Sequence, residues 1–180
     1  DDDEIKEISC AFGAKVPFLR DNFFDDHSPV SLATANFLTR LRSYSQTETT
    51  NVIQAMANCP LRDNQFTLDI LHEFEKEKRS LISATSYAWL NPYWAHSKKN
   101  DGQWTPVFKE HHGQRSQDFA HSLCPTGSTW VSSVKNLILN QTFYAPGYDL
   151  FESNFLTSID IDTMSDFKIC EDFFSILDRK

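Results

Sequence analysis

Residues 67–90 read TLDILHEFEKEKRSLISATSYAWL, and the reading of this stretch decides the fold. Ile70, Leu71, Phe74, the stem of Lys78, Leu81, Ile82, Thr85 and Trp89 recur at helical spacing, while Glu73, Glu75, Lys76, Glu77 and Arg79 fill the opposite face. Glu75 precedes Arg79 by four residues, the favourable order for a helical ion pair. Asn91-Pro92 then biases the backbone out of the helical region. The pattern predicts one long helix over 67–90.

Upstream, Ser28-Pro29 suits a helix start, followed at helical spacing by Val30, Ala33, Phe37, Leu38, Leu41 and Tyr44. Thr49 or Thr50 suits the cap of a shorter helix carrying Val52, Ile53, Met56 and Ala57, which Cys59-Pro60 ends. Downstream the character changes. Asn100-Asp101-Gly102 is a turn signal inside an ordered loop over 91–106, and residues 114–123 suit a short helix. Residues 130–144 and 155–164 read as strands, and residues 167–177 as a closing helix burying Ile169, Phe173, Phe174 and Leu177. The expectation is an α+β fold: a helical N-terminal half packed on a small, mainly antiparallel C-terminal sheet, stapled by two disulfides. Residues 1–180 are read as a single globular domain with a short acidic tail over about 1–5.

The disulfides are read from four isolated cysteines, Cys10, Cys59, Cys124 and Cys170. Their separations exclude a Cys-x-x-Cys redox pair and a local zinc knuckle. An even cysteine count and a first residue that is Asp suit a secreted chain whose signal peptide has been removed. Three pairings are open, with Cys10–Cys59 and Cys124–Cys170 preferred because they staple each half separately. Each bridge would add roughly 4 kcal/mol in the chain-entropy account. Asn140-Gln141-Thr142 is a glycosylation sequon, so a secreted chain would carry a glycan on Asn140.

A net charge of -8 disfavours nucleic acid as a partner, and no apolar run reaches the roughly 20 residues of a membrane span. The five glycines never cluster, which argues against a dinucleotide or phosphate-loop cofactor; no cofactor and no metal are expected. Residues 149–180 hold eight acidic side chains against three basic ones.

The densest unusual segment is 87–108, YAWLNPYWAHSKKNDGQWTPVF, with three of the four tryptophans. Rigid amphipathic rings beside Lys and His make a contact surface, so Tyr93, Trp94, His96, Lys98, Lys99 and Trp104 are the candidate binding residues for another protein or a glycan. Packing of the same rings into the core is the competing account. His96, His111, His112 and His121 fall within 26 residues at spacings that match no zinc motif, and His121 or His112 would serve as the imidazole of a hydrolase.

Asp160-Ile161-Asp162-Thr163 resembles, in isolation, the first motif of haloacid-dehalogenase-like phosphatases. That resemblance implies Asp160 as nucleophile, Asp162 as acid/base and magnesium. It also implies a doubly wound sheet downstream, which the residues after Met164 do not offer. An Asp-x-Asp metal site of the glycosyltransferase kind fails for want of a nucleotide-binding half before it, so the aspartates are read as outward positions of a strand. The sequence therefore reads as a secreted, disulfide-stabilised binding protein rather than an enzyme, with a secreted histidine hydrolase or an apolar-ligand carrier as alternatives.

Overall fold

The long helix expected over 67–90 is two elements. In the computed structural model, which describes residues 2–25, 27–45 and 48–177, a helix over Asn64–Glu77 stops where Lys78 turns left-handed at φ 56°. A strand over Leu81–Ser86 follows. Asp63 starts the helix by accepting a hydrogen bond from the Gln65 N–H. Leu81, Ile82, Ser83 and Ala84 are all buried. Residues buried on both faces lose strand alternation, and a short apolar run then mimics a helix continuation.

In chain order the described residues form α1 (Asp3–Ala11), α2 (Val30–Tyr44), β1 (Asn51–Gln54), α3 (Asn64–Glu77), β2 (Leu81–Ser86), β3 (His96–Lys98), β4 (Trp104–Pro106), β5 (Leu123–Ser133), α4 (Val134–Asn140), β6 (Asp149–Glu152) and α5 (Met164–Leu177). Short 3-10 turns punctuate the second half. The architecture is α+β, but its helices are not confined to the N-terminal half, since α4 and α5 lie in the second. The acidic start is helical too: Asp2 caps α1 by accepting from the Ile5 N–H at 2.9 Å.

The main sheet has the order β1-β5-β2-β6, and β3 and β4 form a separate two-stranded ribbon. β1 and β5 are antiparallel, with Asn51 opposite Ser133 and Gln54 opposite Trp130. β6 runs with β2, because the Asp149 N–H donates to Ser80 O and the Ser153 N–H to Ala84 O. The sheet is therefore mixed. The helix expected near Thr49 is β1, and the strand expected over 155–164 is a 3-10 turn and loop. The helix expected over 114–123 shrinks to the 3-10 turn Ser116–Asp118.

Two compact units divide the chain. The first comprises Asp1–Ala57, Asp63–Ile82 and Thr129–Asp149. Its interior is built from Leu38, Ile70, Phe74, Ile82, Val131, Val134, Leu137 and Phe143. Ser133 ends β5 and caps α4, accepting from the Asn136 N–H at 3.1 Å. Behind it, Ser80 and Ser132 share a 2.7 Å hydrogen bond, and the Asn136 amide donates to Ser80 at 2.9 Å. The second unit comprises Asn58–Arg62, Ser83–Ser128 and Leu150–Lys180, and its buried residues are Cys59, Leu61, Ser83, Ala84, Ser128, Ser153, Thr157 and Cys170. On α5, Cys170 is buried while Ile169 and Phe174 stay exposed, against the expected burial of that face.

The disulfides are absent: all four cysteines are free thiols, Cys59 and Cys170 buried, Cys124 half-buried and Cys10 exposed on α1. Buried cysteine packs as a small hydrophobe, so its burial needs no bridge.

Candidate functional site

The aromatic segment folds back on itself within the second unit. Asn91 starts a 3-10 turn over Pro92–Trp94 by accepting from the Tyr93 N–H. This turn places Tyr93 in a cluster with His111, Phe119 and Phe108, at centroid distances of 4.4, 4.9 and 5.5 Å. Tyr93 is thus half-buried packing. Trp94 is intermediate in role, with its ring 6.2 Å from Phe119 and its indole N–H donated to Gln114 O. His96, Lys98, Lys99 and Trp104 project on the β3–β4 ribbon, all exposed. His96 Nδ1 lies 2.8 Å from Trp94 O, and the Lys98 ammonium sits 5.9 Å from the Trp104 ring centroid. The six candidate residues are therefore brought near one another in the chain but divide into packing and surface.

Phe119 of this cluster also lines a polar pocket of about 250 Å³, with Ser86, Tyr87, Asn91, Ser116, His121 and Ser122 among its other walls. Ala88, also in its wall, holds φ 47°, a left-handed conformation that costs an alanine about 1–2 kcal/mol. Backbone held in that region marks a turn kept for its position. His121 Nε2 lies 3.3 Å from Glu152 Oε2, which orients the ring from β6. A hydrogen bond with Cys124 pushes the Tyr87 hydroxyl above its usual pKa, with burial adding to it.

A second constellation gathers Cys59, Arg62, Asp160 and Asp162. The Ile161 N–H donates to Asn58 O at 2.8 Å, fixing the Asp-x-Asp stretch against the Asn58–Arg62 segment. Arg62 donates to Ser128 O at 2.9 Å. Burial and then Asp160 push the Cys59 thiol up; Arg62 opposes, and Asp162 and Cys170 add to the rise. Asp166 accepts from the Thr163 N–H and hydroxyl, both at 2.7 Å, and from the Asp162 N–H. Those bonds, the Thr163 hydroxyl first, hold its carboxyl below the usual range and tie down the loop carrying Asp162. Among the described residues no three His, Cys, Asp or Glu side chains group as a metal cage. Asp160 and Asp162 are the residues that could offer carboxylate oxygens to a magnesium ion whose other ligands came from substrate phosphates.

Sequence reasoning saw the Asp-x-Asp pair and set it aside, and it read Pro60 only as a helix end. Arg62 carried no sequence signal: its role depends on β5 supplying the Ser128 carbonyl from 66 residues away.

No protein-family profile matches the chain. The chain is similar to a pseudaminic acid cytidylyltransferase of Campylobacter jejuni subsp. jejuni serotype O:23/36, at 26% identity over 179 residues, 98% of this chain and 76% of the relative. A second pseudaminic acid cytidylyltransferase, from serotype O:2 of the same subspecies, is 25% identical over the same shares.

These similarities overturn the reading as a secreted binding protein, together with its alternatives of a secreted hydrolase and a ligand carrier. A likeness along nearly the whole chain to bacterial cytidylyltransferases runs against secretion, and the free thiols remove the disulfides on which that reading partly rested. The glycan on Asn140 falls with it; the Asn140 amide donates instead to Asn136 O and Oδ1 within α4. Among the described residues no helix is long and apolar enough to cross a membrane.

Proposed function

We propose that the chain serves cytidylyl transfer from CTP to a sugar acid of the pseudaminic acid type. The observation that carries this reading is the similarity to two such enzymes across 98% of the chain. The second unit offers side chains suited to both substrates. In the polar pocket, Ser86, Asn91, Ser116 and Ser122 present hydroxyl and amide groups that match a polyhydroxylated sugar. At the other constellation, the Arg62 guanidinium suits phosphate oxygens, and Asp160 with Asp162 suits a divalent cation.

In the reaction a sugar hydroxyl oxygen attacks the α-phosphorus of CTP. The bond from that phosphorus to the β-phosphate oxygen breaks, pyrophosphate leaves, and the hydroxyl proton passes to a base. His121, oriented by Glu152, takes that proton. A magnesium ion, when bound, would supply charge neutralisation on the phosphates. Asp160 and Asp162 would hold it, and Asp166 keeps Asp162 in place through the Asp162 N–H. The sequence expectation of no metal gives way, in this reading, to a pair of carboxylates that is complete only with substrate present.

The test is pyrophosphate release from CTP with pseudaminic acid, alongside calorimetric titration of each substrate. Pyrophosphate should form only when both substrates are present. Asp162→Asn should lower turnover about 100-fold while the fold, followed by circular dichroism, is kept. Failure to bind either CTP or the sugar acid would sink the reading.

A further inference from the structure

A chain of net charge -8 repels anions in general, yet one pocket of the first unit gathers cations. This pocket, of about 280 Å³, lies between α1, residues 15–20 and Phe37 of α2. Ile5, Val16, Phe18 and Phe37 give it an apolar wall, and Ile5 is 62% exposed, so part of that wall is open.

The wall is built before any ligand arrives. The Arg40 guanidinium sits 4.1 Å over the Phe18 ring, donates to Leu19 O at 3.1 Å and pairs with Asp21 at 2.8 Å. Phe37 and Tyr44 add ring contacts to Phe18 at 5.2 and 5.8 Å. Side chains already locked in this way lose little freedom when a ligand seats on them.

Charge decides the ligand class. Lys6, Lys15 and Arg20 line the pocket, with Asp2 the one acidic side chain among the described wall residues. Asp2 is engaged in capping α1 through the Ile5 N–H, and Asp3 pairs with Lys6 at 3.9 Å. Three cations against these two carboxylates leave a surplus of one positive charge. Lys15 is exposed and makes no ion pair with any described residue, so it carries that surplus. An apolar wall beside one uncompensated ammonium fits an organic monoanion, its body on the wall and its head at the cation.

We propose that this pocket binds a small carboxylate with a hydrocarbon body, its head held by Lys15 and Lys6 and its chain against Ile5 and Phe18. A polyphosphate is disfavoured because its charge exceeds the surplus. None of these residues is assigned to cytidylyl transfer, and the proposal is independent of that reading.

Calorimetric titration of the intact chain with octanoate tests it. Octanoate should bind at one site with a dissociation constant of about 0.1–1 mM. Raising salt from about 20 to about 200 mM should weaken it about threefold, as screening shortens the reach of the lysines. Octylamine, with the same body and the opposite charge, should bind at least about tenfold more weakly. Lys6→Glu and Lys15→Glu should each weaken octanoate about fivefold, and Ile5→Ser about threefold, all with unchanged circular dichroism. Amide shifts on binding should centre on residues 5–9 and 15–20. A wild type that takes up no octanoate at about 10 mM overturns the proposal, as does octylamine binding of equal strength. A Lys6→Glu, Lys15→Glu double variant of undiminished affinity overturns it too. Equal binding of inorganic phosphate removes the need for a hydrocarbon body, and shifts centred in the second unit overturn the location. Displacement of octanoate by CTP overturns the independence from cytidylyl transfer.

Discussion

The two units differ in what they bury, although both leave large apolar groups exposed, Phe12 and Leu139 in the first and Trp89 and Trp104 in the second. In the first, Leu38, Ile70, Phe74, Ile82, Val131, Leu137 and Phe143 are buried, five of them with no exposed surface at all. In the second, the buried residues are small or hydroxylated: Cys59, Ser83, Ala84, Ser128, Ser153, Thr157 and Cys170, with Leu61 as the largest. Its bulky groups stay outside, among them Trp89, Trp104, Phe155, Phe167 and Phe174. Ordinary stability physics places large apolar groups inside, where each contributes about 1.5–3 kcal/mol. The second unit holds its interior instead with hydroxyl-to-backbone hydrogen bonds, from Ser83 to Thr126 O and from Ser153 to Ala84 O. Both polar constellations belong to this second unit.

The largest expected effect is in the first unit. Phe74→Ala should cost about 3–5 kcal/mol by emptying a closed site, read as a lower denaturation midpoint at unchanged slope. In the second unit a serine should matter more than a phenylalanine. Ser153 is buried, donates to Ala84 O at 3.0 Å and lies 2.6 Å from the Ser158 hydroxyl. Ser153→Ala should cost about 1–3 kcal/mol because those groups lose a buried partner. Phe174→Ala, at an exposed position, should fall within about 0.5 kcal/mol of wild type. If Phe174→Ala proves as costly as Phe74→Ala, the contrast between the units is broken. If it is silent, the contrast is sharpened.

What the sequence showed follows the same division. α2 and α3 were legible because each sets an apolar face against a polar one, hydroxyl-rich in α2 and charged in α3, the pattern a single helix produces on its own. The break at Lys78 was hidden, since a left-handed cap on lysine carries no glycine to mark it and the strand that follows is buried on both faces. β1 and β6, four residues each, are too short for alternation to separate strand from helix. In the second unit the aromatic segment was found and the polar pocket was not. The pocket draws Ser86 and Tyr87 from one end of that stretch and Ser116, His121 and Ser122 from beyond its other end, so only folding assembles it. The cysteines misled for a related reason. An even count at wide spacing says nothing about whether the sulfurs approach, and it was burial that two of these thiols needed.

The smallest expected effect tests that last point. Cys59 and Cys170 are buried, and burial raises both thiols, helped at Cys59 by Asp160 and at Cys170 by Asp166. An exposed unfolded thiol titrates near about 8.5, so over the range just above that value the unfolded chain has released protons the folded chain still holds. Stability then falls as pH rises through that window and is flat below it, where the thiols are protonated in both states. Cys59→Ala should flatten the decline, measured as denaturation midpoints across pH, even though it lowers the plateau. Alkylation of the folded chain should in turn modify Cys10 first, with Cys59 and Cys170 reacting only as the second unit opens. Rapid labelling of Cys59 in the folded state would mean that this unit's small-residue interior is open to solvent. The contrast with the first unit would then be one of stability and not only of composition.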